Sequence, residues 1–321
     1  MTKKKIIIDC DPGQDDAIAL LLAFASLDYL EILGITTVAG NVQLKSTQRN
    51  ARLLCEMFGQ NRIPVFAGCE KPLFRKLVTA EEYHGIEGLN GIPIYEPKKK
   101  LEAQHAVDFI IEKLMGSDDH SIYMVGIAPL TNIGMAILKK PEIVTKIKEI
   151  VLMGGSYKEG GNITAAAEFN FYVDPHAANI VLTCGCPVTI FGLDATHQTR
   201  VTKDIFEKMQ MIKQSKAKEV LITSIEYFNK AYKDIYNQDA APIHDVLTIC
   251  YLLNPSIFHG IKRNISVETV SELTMGASIV DEWDLSKKSQ NATWITNVDK
   301  KAFFELLQER ITNFNLTTAS T

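Results

Sequence analysis

Four carboxylates fall within eight residues near the start of the chain, in the run Asp9-Cys10-Asp11-Pro12-Gly13-Gln14-Asp15-Asp16. One Asp before a helix is an ordinary cap, but capping does not call for four. Carboxylates this close raise one another's pKa unless a cation neutralises them. Hard oxygen donors select calcium or magnesium. The chemistry implied is that of a divalent cation that polarises water and orients a ligand. The apolar residues Ile6, Ile7 and Ile8 directly before the run read as a buried strand. Pro12 and Gly13 demand a tight turn at its end. Asp15 and Asp16 then open a helix, whose dipole favours negative charge.

The elements around this turn alternate. KKIIID, LEILGITTVAG, IPVFAG, SIYMVGIA, KEIVLMGG and CPVTIFGL read as strands. DAIALLLAFA, VQLKSTQRNARLLCEMFG, QHAVDFIIEKLM, PLTNIGMAILKK and DPHAANIVLT read as the helices that follow them. Such alternation predicts a single α/β domain over 1–321, with a doubly wound, mostly parallel and Rossmann-like sheet. In sheets of this kind ligands sit at the carboxyl ends of strands, where the acidic turn lies. Residues 200–253 are mostly helical and read as an insertion. NISVETVS and ATWITNVD are β-rich, and DKKAFFELLQERI is a last helix.

Composition narrows the partners. The chain has 321 residues, 46% hydrophobic and 22% charged, with a net charge of -4. That balance carries no basic surplus for nucleic acid. The lysine runs at 3–5 and 98–100 read as solvated turns. Apolar runs fall short of the ~18 residues a membrane span requires, and Asp9 cuts the first one short of a signal peptide. Cys10, Cys55, Cys69, Cys184, Cys186 and Cys250 are scattered, without a zinc pattern, and read as reduced thiols in the cytoplasm.

Two common acidic motifs do not fit. An EF-hand counted from Asp9 requires Gly at its sixth position, where Gln14 stands. A haloacid-dehalogenase-type phosphatase has Thr or Val where Gly13 stands. DCDPGQDDAIALLLA instead resembles the N-terminal signature of the inosine–uridine-preferring nucleoside hydrolases. VAGN at 38–41, HGIEGLNG at 84–91, IAPLTNI at 127–133, EIVLMGG at 149–155, GNITAAAEFNFYVDPHAA at 161–178 and PIHDVL at 242–247 follow in that family's order.

The resemblance implies calcium-dependent hydrolysis of the N-glycosidic bond of ribonucleosides, giving ribose and free base. Under it Asp11, Asp16, Asp245 and the backbone carbonyl of Ile127 hold Ca2+, with ribose hydroxyls and water completing the shell. Asp11 is also the general base that takes the proton of the attacking water. Asp15 accepts from ribose hydroxyls, and Asn41, Asn162, Glu168 and Asn170 are further ribose contacts. Glu168 and Asn170, two apart, share a face if the segment is extended, with Phe169 turned away. Met153 packs under the sugar. His84, in a Gly-rich stretch that reads as a lid, reaches the base. Tyr232 and Tyr236, four apart on a helix, line the base pocket. His244 protonates or hydrogen-bonds the leaving base. Read singly, Asp245 is a helix cap, the Asn residues are turn residues and His244 is structural.

Trp283 and Trp294 are the only tryptophans, and both lie outside these motifs. The resemblance implies that purine-specific members hold the base between tryptophans, so this placement tilts the expected preference toward pyrimidines or broad specificity. A homotetramer or homodimer is implied by the resemblance alone. Two other readings compete. A metal-dependent nucleotide phosphatase would place Lys, Arg or backbone donors at a phosphate, whereas the motifs hold Asp, Asn and Glu. A non-catalytic nucleoside-binding protein would have lost Asp11 or His244.

Overall fold

The strand Lys4–Cys10 (β1) is buried on both sides: Ile6, Ile8 and Cys10 enter one apolar cluster and Ile7 the other. Such two-sided burial belongs to the interior of a parallel sheet. The computed structural model describes residues 2–318. The strands that follow are Leu30–Thr37 (β2), Val65–Ala67 (β3), Ile122–Gly126 (β4), Ile147–Met153 (β5), Val188–Phe191 (β6), Phe258–Arg263 (β7), Ile265–Val267 (β8), Ser278–Val280 (β9) and Ala292–Val298 (β10). Eight of them form one sheet in the order β3-β2-β1-β4-β5-β6-β10-β7. Every pairing in it is parallel except β10 with β7. The sheet is therefore the predicted mostly parallel, mixed one, in a single α/β domain.

The helices are Gln14–Phe24 (α1), Leu44–Met57 (α2), Glu81–His84 (α3), Ala106–Met115 (α4), Thr131–Lys139 (α5), Phe169–Val173 (α6), Pro175–Leu182 (α7), Leu193–Thr196 (α8), Lys203–Gln210 (α9), Lys216–Tyr236 (α10), Val246–Leu253 (α11) and Lys300–Thr318 (α12). Apolar residues of α1, α2, α10 and α11 join the cluster on one face of the sheet, and those of α4, α5 and α7 the other. The predicted helical insertion is α9–α11. It lies in the first of these layers, with α10 and α11 packed on α1.

Strand order reverses between β1 and β4, which run to opposite sides of the sheet from adjacent positions. That switch point leaves a crevice at the strand ends. Asp11 follows the end of β1 and Ile127 the end of β4, and the Ile127 N–H donates to Asp9 O at 2.9 Å. Both ends are thereby clamped side by side.

Two strands lay outside the sequence reading. β7 exposes His259 and Gly260 and alternates weakly, as an edge strand can. β9 is three residues long and, among the described residues, pairs only with β8. No helix among the described residues is long and apolar enough to cross a membrane.

Candidate active site

The turn after β1 folds the carboxylates inward. Asp16 sits in the first turn of α1, where its Oδ2 accepts from Gly13 N–H at 2.9 Å and its Oδ1 from Asp11 N–H at 3.1 Å. Asn41 binds the cluster three ways. Its N–H donates to Asp11 Oδ2 at 2.6 Å, and its side-chain amide donates to Asp11 O at 3.1 Å and Asp16 Oδ2 at 3.2 Å. A Cβ on Gly40 would lie 2.0 Å from Asp11 Oδ2, so the chain approaches as closely as glycine allows. Asp11 Oδ1 is buried and has no hydrogen-bond partner among the described residues.

Carboxylate oxygens of Asp15, Asp16 and Asp245 converge within 4.8 Å of one another. Asp245 arrives from 229 positions further on than Asp16. It stands at the cap position of α11, yet its side chain caps no amide there. The plain cap reading of Asp245 therefore fails. Burial, then mutual repulsion, pushes Asp11, Asp16 and Asp245 well above the ordinary carboxylate range, and burial alone lifts Asp15 to about 6. Such a set of acidic oxygens, one of them unpartnered, fits a hard divalent cation. Asp9 is separate. Its Oδ1 accepts from Thr36 Oγ1 at 2.6 Å and Asn132 Nδ2 at 2.8 Å, tying β1, β2 and α5 together beneath the turn.

A cavity of about 530 Å³ opens above this cluster. Its lining includes Asp15, Asn41, His84, Ile127, Met153, Asn162, Glu168, Asn170, Tyr232, Tyr236, His244 and Asp245. Asp11 and Asp16 lie just beneath. The residues given a site role in the sequence are thus gathered at one place. Carboxylates and carboxamides line the cavity together with an aromatic wall formed by Phe228, Tyr232 and Tyr236, successive turns of α10, with ring centroids 5.3 and 5.0 Å apart along it.

Several local expectations change. Glu168 and Asn170 do not lie on an extended segment. Glu168 caps α6, its carboxylate accepting from Asn170 N–H, Phe171 N–H and Gly155 N–H at 2.9, 3.2 and 2.8 Å. Helical geometry, not strand alternation, is what aims Asn170 and Phe169 into the cavity. Asn170 Nδ2 donates to Met153 O at 3.2 Å. Asn162 accepts from Phe169 N–H at 2.9 Å, and its carbonyl accepts from Tyr236 Oη at 2.8 Å, tying its loop to α10. His84 is not a bare loop residue. It ends α3, is buried, and stacks on Phe228 at 5.5 Å. His244 is also buried, with Nε2 at 2.9 Å from Tyr232 Oη and Nδ1 at 2.8 Å from Thr196 Oγ1. Desolvation holds its pKa well below the usual imidazole value. Trp294 is wholly buried and Trp283 largely exposed, and neither lines the cavity.

Comparison with known proteins decides what this cavity belongs to. The family model described as inosine-uridine preferring nucleoside hydrolase matches residues 6–305. The chain belongs to that family. It is 39% identical over 312 residues to the pyrimidine-specific ribonucleoside hydrolase RihA of Photobacterium profundum, covering 97% of this chain and 99% of that one. It is 40% identical over 279 residues to the inosine-uridine preferring nucleoside hydrolase of Crithidia fasciculata, covering 87% and 88%. Among solved structures, the purine-preferring ribonucleoside hydrolase from Gardnerella vaginalis superposes with a TM-score of 0.89 at 30% identity, covering 97% and 99%.

As a nucleoside hydrolase, the chain cleaves the N-glycosidic bond of ribonucleosides. The cavity suits a neutral substrate, since no Lys or Arg is among its lining residues. A phosphate-handling site would hold them. Sequence reasoning missed four contributors. Phe228 lies one helical turn before Tyr232, so the same periodicity that found Tyr232 and Tyr236 extends to it. Gln14 lay in plain view inside the acidic run. Tyr83, whose hydroxyl is 2.5 Å from that of Tyr236, and Thr196 behind His244 carry no local signal.

Proposed function

We propose that this nucleoside hydrolase uses calcium and prefers pyrimidine ribonucleosides or accepts both base classes. The observation that carries the metal reading is the buried, unpartnered Asp11 Oδ1 beside three converging carboxylates. Isolated buried charge is too costly to keep without compensation. Asp11, Asp16, Asp245 and the Ile127 carbonyl are the groups assigned to hold the ion, with Asp15 close enough to share it. A divalent cation there supplies a polarised water and a fixed point for sugar hydroxyls.

The chain's own groups divide the remaining work. Asp11 takes the proton of the attacking water. Asp15, Asn41, Asn162, Glu168 and Asn170 receive the ribose hydroxyls, and Met153 lies under the sugar. His84, Tyr232 and Tyr236 face the base. His244, neutral and joined to the Tyr232 hydroxyl, meets the departing base with a hydrogen bond. Aromatic walls of Tyr and Phe rather than Trp, and relatives named as pyrimidine-specific, support the pyrimidine side of the preference. Six free cysteines suit the cytoplasm, and a homotetramer or homodimer remains the proposed assembly.

The test is direct. Uridine, cytidine, inosine and adenosine are incubated with the protein, with calcium or with a chelator, and free ribose is measured. Faster release from the pyrimidines, abolished by chelation and restored by calcium, is the expected result. Release that persists in chelator would remove the calcium reading.

A further inference from the structure

Gln14 stands inside the acidic run, yet none of the roles above uses it. Its side-chain Nε2 donates to two main-chain carbonyls, His84 O at 3.2 Å and Asn90 O at 3.3 Å. Carbonyls only accept, so these contacts orient the amide: nitrogen toward them, oxygen away. The oxygen, Oε1, then lies 2.6 Å from His84 Nδ1. An amide oxygen also only accepts, so Nδ1 must carry the ring proton. The Gln14 backbone N–H approaches the same nitrogen at 3.4 Å, a longer contact than the one it competes with. A bare Nδ1 would set two lone pairs against each other at 2.6 Å.

A neutral imidazole protonated at Nδ1 has a bare Nε2. That atom has no hydrogen-bond partner among the described residues, and it is not among the buried polar atoms left unpaired. It therefore opens onto the cavity that His84 lines. The ring stacks on Phe228 of the aromatic wall at 5.5 Å. Burial holds the His84 pKa at about 3, so the ring stays neutral at physiological pH.

We propose that Gln14 is a positioning residue that fixes His84 as a hydrogen-bond acceptor facing the base in the cavity, selecting nucleosides whose base offers an N–H or amino donor there. The selection rests on the nucleoside reading above; the tautomer does not. Uracil, cytosine, hypoxanthine and adenine all carry such a donor. Pyrimidin-2-one riboside and unsubstituted purine riboside lack it while keeping the ring and the sugar.

Nitrogen-15 NMR of ring-labelled histidines tests the first half, with His84→Asn to assign the signal. The expected spectrum has a protonated Nδ1 and a bare Nε2, and Gln14→Met mixes the two forms. A protonated Nε2 in the wild type, or an unchanged pattern in Gln14→Met, overturns the role of Gln14. Kinetics test the second half. KM for each donor-free riboside is expected about tenfold above that for uridine or inosine, the scale of one neutral hydrogen bond. Gln14→Met is expected to raise KM for the natural substrates and to shrink that gap, with kcat changed much less. Equal KM values in the wild type overturn the selection. Ribose from no substrate at all would remove the hydrolytic reading, while the spectrum would still decide for or against the tautomer.

Discussion

Asp11 has one oxygen held by Asn41 N–H and one buried without a partner. A group kept so expensively should be required for function. Asp11→Ala is expected to lower ribose release by at least about 10³-fold, the upper scale of general-base effects. Unchanged circular dichroism alongside that loss would place the defect in the chemistry rather than the fold. His244 offers a finer test. A purine carries N7, a ring nitrogen that can take a proton as the bond breaks, and a pyrimidine has no equivalent. His244→Ala should therefore slow inosine more than uridine, by about tenfold in kcat/KM. Equal losses would argue against a contact between His244 and purine N7. Glu168 links the site to pH. Burial lifts its carboxyl to about 7, against the three backbone amides that pull the other way. The folded pKa is above the unfolded value, so the folded state binds more protons between the two. Stability from this group is complete below the unfolded pKa and is lost as pH rises through about 7. On moving from pH 8 to 6.5 in chelator, wild type should gain about 1 kcal/mol relative to Glu168→Gln. Urea unfolding at both pH values measures it, and a constant difference would contradict the elevated pKa.

The segment carrying Asp245 shows what an element adds. As a helix cap Asp245 would lose about 1 kcal/mol on replacement by Ala. Its carboxylate caps nothing and instead crowds Asp15 and Asp16. In chelator, Asp245→Ala is expected to stabilise the protein by about 1–2 kcal/mol, because a buried like charge is removed. A loss of stability in the same urea experiment would restore the cap reading. The contrast marks how far elements were legible. Buried parallel strands such as β1, β4 and β5 are continuous apolar runs, and the helices between them are long enough to show a period. The edge strand β7 and the short α3 and α6 have too few residues for a pattern to emerge. That is why the segment holding Glu168 and Asn170 reads as extended, although Glu168 caps a helix there. The paired aromatic residues of α10 were readable because 21 helical residues repeat the same face.

Across the whole molecule the site is a meeting of distant segments. The acidic turn marked itself by charge density, and the alternation of elements placed it at a strand end. Nothing in local spacing could bring Asp245 to Asp16, since the insertion α9–α11 must first pack on α1. Only the order of motifs along the chain pointed to that pairing, and the pairing has a thermodynamic consequence. A cation held by β1's end and by the start of α11 bridges two ends of the fold, and it binds the folded state alone. Its stabilisation then follows mass action: about 4 kcal/mol at a thousandfold excess over Kd. For a chain of this length that corresponds to a Tm rise of roughly 6–8 °C. Calorimetry in chelator and then in excess calcium measures the shift, and Asp245→Ala should remove most of it while leaving the chelated protein folded. A Tm indifferent to both chelator and calcium would mean that the acidic cluster is held together by protons, and the cation would lose its place in the account.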